Sequence, residues 1–221
     1  PVLTGGNPTL DPERARSFSI GMVFSPSFAV DSNWSEKLDF EVTFYRHDLE
    51  GAIQAIDAQT QLGLWATTQS PQYCDGITRL ASGEIDTFSN FLVNLGSIKT
   101  DGWDVDLFWT LPETDWGQFK LSWQNTFVTR YEARGAGGQL QPQGPGIVVT
   151  DTAIPEWTSN AVIGWKSDAW FASWTVRHLS EMEEACLAAD PSLYCSTATT
   201  NTLSATTYND AQVGYAFDVL K

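Results

Sequence analysis

Residues 103–111, Trp-Asp-Val-Asp-Leu-Phe-Trp-Thr-Leu, constrain the fold of this chain more than any other stretch. Trp103, Val105, Leu107, Trp109 and Leu111 occupy alternate positions, and Asp104, Asp106 and Thr110 fall between them. Successive side chains of a β-strand point to opposite faces, so this segment is a strand with one apolar and one wet face. Similar alternation returns along the chain, often with aromatic residues at or near the strand ends. A soluble sandwich buries its apolar faces against one another, whereas a membrane barrel turns them to lipid and rings them with aromatics. The aromatic placement favours the barrel.

Composition narrows the choice. The 221 residues include 10 Trp, 12 Phe and 6 Tyr, a Trp-rich content for a soluble protein of this length. No apolar run approaches the ~20 residues of a helical span, which excludes a helical membrane protein and leaves a barrel open. The net charge of −15 lacks the basic footprint of a nucleic-acid binder. It suits a polar lumen with acidic loops, or a soluble secreted protein. The chain opens on Pro1 without a leader pattern, and its last strand pattern stops at Lys221, so it reads as a fragment.

The three cysteines lack metal-type Cys-x-x-Cys spacing, and His47 and His178 lie in strand patterns, so no metal or cofactor is expected. Cys186 and Cys195 flank a short polar segment and are expected to form a local disulfide in an oxidising compartment; free thiols are the alternative. Cys74, in another loop-like stretch, pairs with a cysteine outside the chain or with nothing.

About seven strands are expected: Ser17–Ser25, Leu38–Asp48, about Val93 to Leu111, Gly117–Glu132, Trp157–Lys166, Trp170–Leu179 and Thr207–Phe217. Short connections near 26–36, 112–116 and 167–169 alternate with long ones near 49–92, 133–154 and 180–205. Outer-membrane barrels have this rhythm, with short periplasmic turns and longer extracellular loops. A soluble meander has no reason to place every long loop at one end. Helix is not required, although 49–60 suits a turn or two.

Several motifs resemble the C-terminal part of the barrel of TonB-dependent outer-membrane receptors. Gly6-Asn7-Pro8-Thr9-Leu10-Asp11-Pro12-Glu13, followed by Ser17-Phe18-Ser19-Ile20-Gly21, resembles the segment by which that family enters a barrel strand. Leu38–Tyr45 resembles the next strand, and Asn94-Leu95-Gly96 with Gly102-Trp103-Asp104-Val105 resembles the one that follows. Ile154-Pro155-Glu156-Trp157 is similar to the Pro-led strand after a long loop. Tyr208-Asn209-Asp210 with Val213-Gly214-Tyr215 resembles a strand close to the family's C-terminus. Order and spacing run through nearly the whole chain. No plug, TonB box or aromatic-terminated last strand is present.

The resemblance implies an all-β fold: an antiparallel up-and-down meander over residues 1–221 forming roughly a third of a 22-stranded transmembrane barrel. It implies a receptor fragment in the bacterial outer membrane, not an enzyme. Its whole would import a scarce nutrient (a siderophore-bound iron, a cobalamin or a glycan), bind outer-membrane lipid, and be energised by the TonB–ExbB–ExbD system through regions outside this chain. Any iron would arrive inside the substrate.

Lumen-facing candidates for ligand or plug contact are Asp39, Glu41, Asp104, Asp106, Lys120, Arg130 and Arg177; the alternative for each is a solvated wall residue with no individual role. Tyr73, Asp75, Arg79, Arg134 and the Cys186–Cys195 hairpin fall in loops at the outer mouth, which meet a ligand first. Asp104 and Asp106 share one strand face, and nothing sets a second acid across a cleft from them, so a glycosidase pair is not expected. No Gly-x-Ser-x-Gly, His-Glu-x-x-His or phosphate loop is present. The competing reading is a secreted lectin-like sandwich that uses Trp to stack on sugars. The two differ in the fate of Trp103, Trp109, Trp123 and Trp174: a sandwich buries most of them and a barrel turns them outward.

Overall fold

The computed structural model describes residues 2–54, 61–63, 65–66, 76–94, 96–134, 140, 142–149, 152–185 and 201–217. In chain order the strands are β1 (Val2–Gly5), β2 (Arg14–Phe24), β3 (Lys37–Glu50), β4 (Ile53–Gln54), β5 (Ile77–Arg79), β6 (Ile85–Phe91), β7 (Val93–Asn94) and β8 (Ser97–Thr110). There follow β9 (Gln118–Arg134), β10 (Ile147–Val149), β11 (Thr152–Ile154), β12 (Trp157–Ser167), β13 (Trp170–Leu179), β14 (Met182–Glu184), β15 (Thr202–Leu203) and β16 (Thr206–Tyr215). The chain divides into two compact units, one of Pro1–Arg16, Asp48–Ile98 and Arg134–Leu140, the other of Ser17–His47, Lys99–Ala133 and Gln141–Lys221.

The second unit is built on a seven-stranded sheet in the order β16-β13-β12-β9-β8-β3-β2. Every neighbour is consecutive among these wall strands, so the sheet is an up-and-down meander. Pairing is continuous and antiparallel from Trp157↔Phe127 to Lys166↔Gln118 between β12 and β9, and from Thr158↔Leu179 to Ser167↔Trp170 between β12 and β13. Pairing continues from Trp170↔Tyr215 to Leu179↔Thr206 between β13 and β16.

The short turns close by local chemistry. Asp168 adopts φ 48°, a left-handed conformation that Asp tolerates better than most residues, and β12 reverses into β13 over two residues. At the β8–β9 turn Gly117 takes φ 102°; its N–H donates to the Thr114 carbonyl at 2.8 Å, and Thr114 Oγ1 donates to the Gly117 carbonyl at 2.9 Å. The β2–β3 connection holds one 3-10 turn, Ser27–Ala29.

The first unit carries a three-stranded sheet, β1-β6-β5, with β1 parallel to β6 and β5 antiparallel to it. Phe88 of β6 is buried there. The segment Asn7–Glu13 is tied down by side chains: Asn7 Nδ2 donates to the Leu92 carbonyl at 3.1 Å, and Glu13 Oε1 accepts the Ile53 N–H at 2.6 Å.

Several boundaries differ from the sequence reading. The third expected strand is two in the structure: β7 ends at Asn94, whose amide turns to the Gly51 and Asp11 backbone, and β8 begins at Ser97. Of the segment 49–60, read as suiting a helical turn or two, Leu49–Glu50 continue β3 and Ile53–Gln54 form β4, while 55–60 lie outside the described residues; helix appears at 61–63 and 65–66. The long connections, read as loops, carry short strands of their own, including the sheet β11-β10-β14-β15.

Among the described residues only Ala29, Ala52, Phe88 and Ala133 are buried hydrophobics. A sandwich of this length would bury far more. Trp103 is 41% exposed, Trp123 44% and Trp174 49%, while Trp109 is half-buried; the lectin-like sandwich therefore fails its own criterion.

Candidate functional site

The two faces of the wall differ in chemistry, and register assigns each side chain to one of them. On the first face lie Phe119, Leu121, Trp123, Asn125 and Phe127 of β9, with Trp157, Ser159, Ala161, Ile163 and Trp165 opposite them on β12. Trp170, Ala172, Trp174, Val176 and His178 of β13 continue it.

Aromatic residues bracket this face at both ends. Phe119 pairs with Trp165, and Trp170 with Tyr215, at the short-turn end. At the other end Phe127 stacks on Trp157 with ring centroids 6.1 Å apart, Trp157 meets His178 at 4.7 Å, and Trp103 meets Phe44 at 5.1 Å. From Phe119 to Phe127, or from Trp157 to Trp165, the run is about 27 Å at ~3.4 Å per residue. Tilted by about 40°, it stands about 21 Å tall, close to the ~25 Å apolar band of an outer-membrane barrel.

Asn125, Trp157 and Trp123 carry paired polar atoms within the band. Asn125 is buried; its Oδ1 accepts from Trp157 Nε1 at 3.2 Å, and its Nδ2 donates to the Val105 carbonyl at 3.1 Å. Trp123 Nε1 donates to Ser159 Oγ at 2.9 Å. In hydrocarbon an unmade hydrogen bond costs several kcal/mol, so this pairing suits a lipid-facing surface.

The opposite face is polar. Asp104 accepts from Thr126 Oγ1 at 2.8 Å, which places it with Lys120, Gln124 and Thr126 of β9 and, through the register, with Arg177 of β13. Asp106 shares that face two residues on. Arg177 Nη2 meets Asp210 Oδ2 at 2.8 Å, and its guanidinium lies 5.7 Å from the Tyr208 ring centre. Arg130 Nε meets Glu132 Oε1 at 3.0 Å, and Nη1 lies 3.8 Å from Asp101 Oδ2, a carboxylate that also accepts from Thr129 Oγ1. Asp39 is held by Lys37 Nζ at 2.6 Å and by Ser25 Oγ at 2.5 Å, a clamp between β3 and the end of β2.

Asp39, Asp104, Arg130 and Arg177 thus take separate partners along one face and are not gathered in one pocket. Arg79, in the first unit, donates to the Gly83 carbonyl at 2.8 Å within its own hairpin and sits 5.5 Å over the Trp65 ring. Arg134 ends β9 and bridges to Leu140. Tyr73, Asp75, Cys74, Cys186 and Cys195 lie outside the described residues, and with them the expected disulfide.

Sequence reasoning missed the partners Asp101, Glu132 and Asp210, although Asp210 sits at a polar-face position of the β16 alternation. It also missed Asn94 as a backbone anchor, for which the Asn-x-Gly spacing was the available signal.

A family profile described as TonB dependent receptor-like, beta-barrel, matches residues 1–220. A mutant of the ferric enterobactin receptor from Pseudomonas aeruginosa, in complex with enterobactin, superposes with a TM-score of 0.57 at 14% identity, covering 98% of this chain and 26% of that one. The siderophore receptor PirA from Acinetobacter baumannii gives 0.53 at 13% identity, covering 98% and 27%. The FrpB iron transporter from Neisseria meningitidis (F3-3 variant) gives 0.52 at 12% identity, covering 96% and 25%. The chain therefore spans about a quarter of the length of these solved chains, and at such identities the likeness concerns fold. No curated protein matches by sequence. Family and architecture together place the chain in the outer membrane. The chain belongs to the TonB-dependent receptor family and is a segment of its β-barrel.

Proposed function

We propose that this segment forms part of the wall of a receptor that imports a scarce nutrient, with siderophore-bound iron foremost and cobalamin or a glycan as alternatives, energised by the TonB–ExbB–ExbD system. The observation that carries the reading is the two-faced wall: one face bracketed by aromatics eight residues apart, the other lined with paired charges. The reaction is recognition and gated passage, with no bond made or broken. Arg177 and Asp210, Asp104 and Asp106, and the Arg130 network line the path, where fixed charges bias an ionic substrate or grip a plug. Arg79, Arg134, Tyr73 and Asp75 belong to the long connections at the outer mouth, where first contact occurs. A Cys186–Cys195 disulfide would brace one of those connections in the oxidising exterior.

The test is uptake by cells carrying the receptor that contains this segment, with and without TonB, against a panel of ferric siderophores, cobalamin and oligosaccharides. Accumulation of one class that vanishes without TonB is expected. Accumulation of none, or uptake indifferent to TonB, would sink the reading.

A further inference from the structure

Where the wall strands pass into the long connections, the second unit carries one strand too many. The continuations of the paired strands β12 and β13 are β11 and β14, each reached across two residues, Pro155-Glu156 and Ser180-Glu181. Yet β11 and β14 are not neighbours: the order there is β11-β10-β14-β15, with β10 set between them. It pairs antiparallel with β11 and parallel with β14.

The registers show that β10 is inserted into a ladder that is otherwise in step. The β12–β13 ladder runs up to Thr158↔Leu179; continued residue by residue, it would pair Ile154 with Glu183 and Ala153 with Glu184. Those same residues face each other across β10. Ile147 is the partner of both Ile154 and Glu183, and Val148 of both Ala153 and Glu184. Gly146 N–H donates to the Ile154 carbonyl at 2.7 Å, and the Gly146 carbonyl accepts the Glu183 N–H at 2.7 Å. One residue thus relays a bond that Glu183 would otherwise give to Ile154 directly.

Local chemistry opens the ladder and delivers the extra strand. Ser180 N–H donates to the Trp157 carbonyl at 3.0 Å, but the Trp157 N–H turns to Ser180 Oγ at 3.2 Å. The next rung would set the exposed Glu156 directly opposite the exposed Glu181, an unfavourable like-charge pair. β10 arrives through Gly144-Pro145-Gly146, a turn closed by the Ile147 N–H on the Gly144 carbonyl at 3.1 Å, with Gly146 at φ 74°. It is only three residues long, and its departure would leave two strands already in register.

We propose that β10 is an exchangeable wedge. In one state it holds β11 and β14 apart; in the other it withdraws, they pair with each other, and the connection between β9 and β10 is released. The gap between β11 and β14 narrows from two strand spacings to one, about 9.6 Å to about 4.8 Å, while the wall below keeps its pairing. The exchange needs no particular cargo, so it and the transport reading fail separately.

Cysteine cross-linking in outer membranes, on the receptor that contains this segment, reads the two states. Ala153→Cys with Glu184→Cys bonds only when β11 and β14 are neighbours, because two strand spacings exceed the ~7 Å Cα limit of a disulfide. Val148→Cys with Ala153→Cys bonds in the wedged order. Both pairs carry Cys186→Ser and Cys195→Ser, so that native thiols do not intervene. Under a mild oxidant both disulfides are expected, identified by mass spectrometry of the linked peptides. Failure of the first pair would leave β10 a fixed strand, and failure of the second would mean that it never wedges; either overturns the exchange. If the variants do not assemble, hydrogen exchange on the unaltered receptor decides. Amides of Gly146–Val149 should exchange faster than those of Met182–Glu184, which pair again once the wedge leaves. Equal rates, or slower exchange in β10, would mean that the small sheet opens as a whole and would overturn the proposal.

Discussion

Asn94 grips the backbone of Asp11 from both sides: its Oδ1 accepts the Asp11 N–H at 2.8 Å while its Nδ2 donates to the Asp11 carbonyl at 2.8 Å. The same Nδ2 reaches the Gly51 carbonyl at 2.7 Å. One side chain thus does the work of a neighbouring strand for two segments distant in sequence. Asn94→Ala should cost about 0.5–1.5 kcal/mol for each hydrogen bond lost, the net worth of a bond whose partners water can reach. Asn94→Asp keeps the acceptor and loses both donations. Hydrogen exchange at the Asp11 amide should accelerate in the alanine variant and stay slow in the aspartate one; equal rates in both would refute the assignment.

The alternation that opened the sequence reading carried most of the wall, because a strand between lipid and lumen must repeat with period two. Trp170–Leu179 was legible to the residue, since a tight turn and a charged lumen position bound it. The division at Asn94 was not legible. Its amide bonds to backbone more than 80 residues away, and local pattern does not encode such a contact. Site residues were legible as a face and not as pairs. Arg177 finds Asp210 only through the β13–β16 register, which the sequence of either strand leaves open.

Asn125 is a polar residue on the aromatic-bracketed face, and its amide is spent between Trp157 Nε1 and the Val105 carbonyl. Asn125→Ala leaves the indole N–H without its acceptor in a medium that offers no water. A loss of about 1–3 kcal/mol in unfolding from lipid vesicles is expected. Adding Trp157→Phe removes the stranded donor and should recover part of that loss. No recovery would mean that packing, not hydrogen bonding, sets the cost.

Gly117 combines φ 102° with crowding: a Cβ there would strike the Lys166 carbonyl and meet Ser167 Cβ at 2.7 Å. Gly117→Ala should therefore cost about 1–3 kcal/mol in backbone strain and force the β8–β9 turn off the adjoining hairpin. Gly164→Ala is the matched control on the same wall, because its added methyl meets nothing nearer than the Lys120 carbonyl at 3.9 Å. The amount of heat-modifiable, assembled receptor in outer membranes should fall for the first and hold for the second. Equal yields would show that the turn yields without strain.

The Arg177–Asp210 pair separates stability from recognition. Its side chains are 57% and 59% exposed, and exposed pairs contribute about 0–1 kcal/mol to folding. Arg177→Ala should accordingly leave unfolding from lipid nearly unchanged. If the polar face steers an anionic iron chelate, the same variant should weaken its binding about tenfold at low salt and far less at high salt, where screening already blunts the charge. Arg177→Lys restores the charge but not the planar fork that spans Asp210 and the Tyr208 ring, so its affinity should fall between the two. Isothermal titration with a ferric chelate at two ionic strengths reads this directly. A salt-independent loss, or none, would remove Arg177 from the path, and a large loss of stability would make the pair a structural strut.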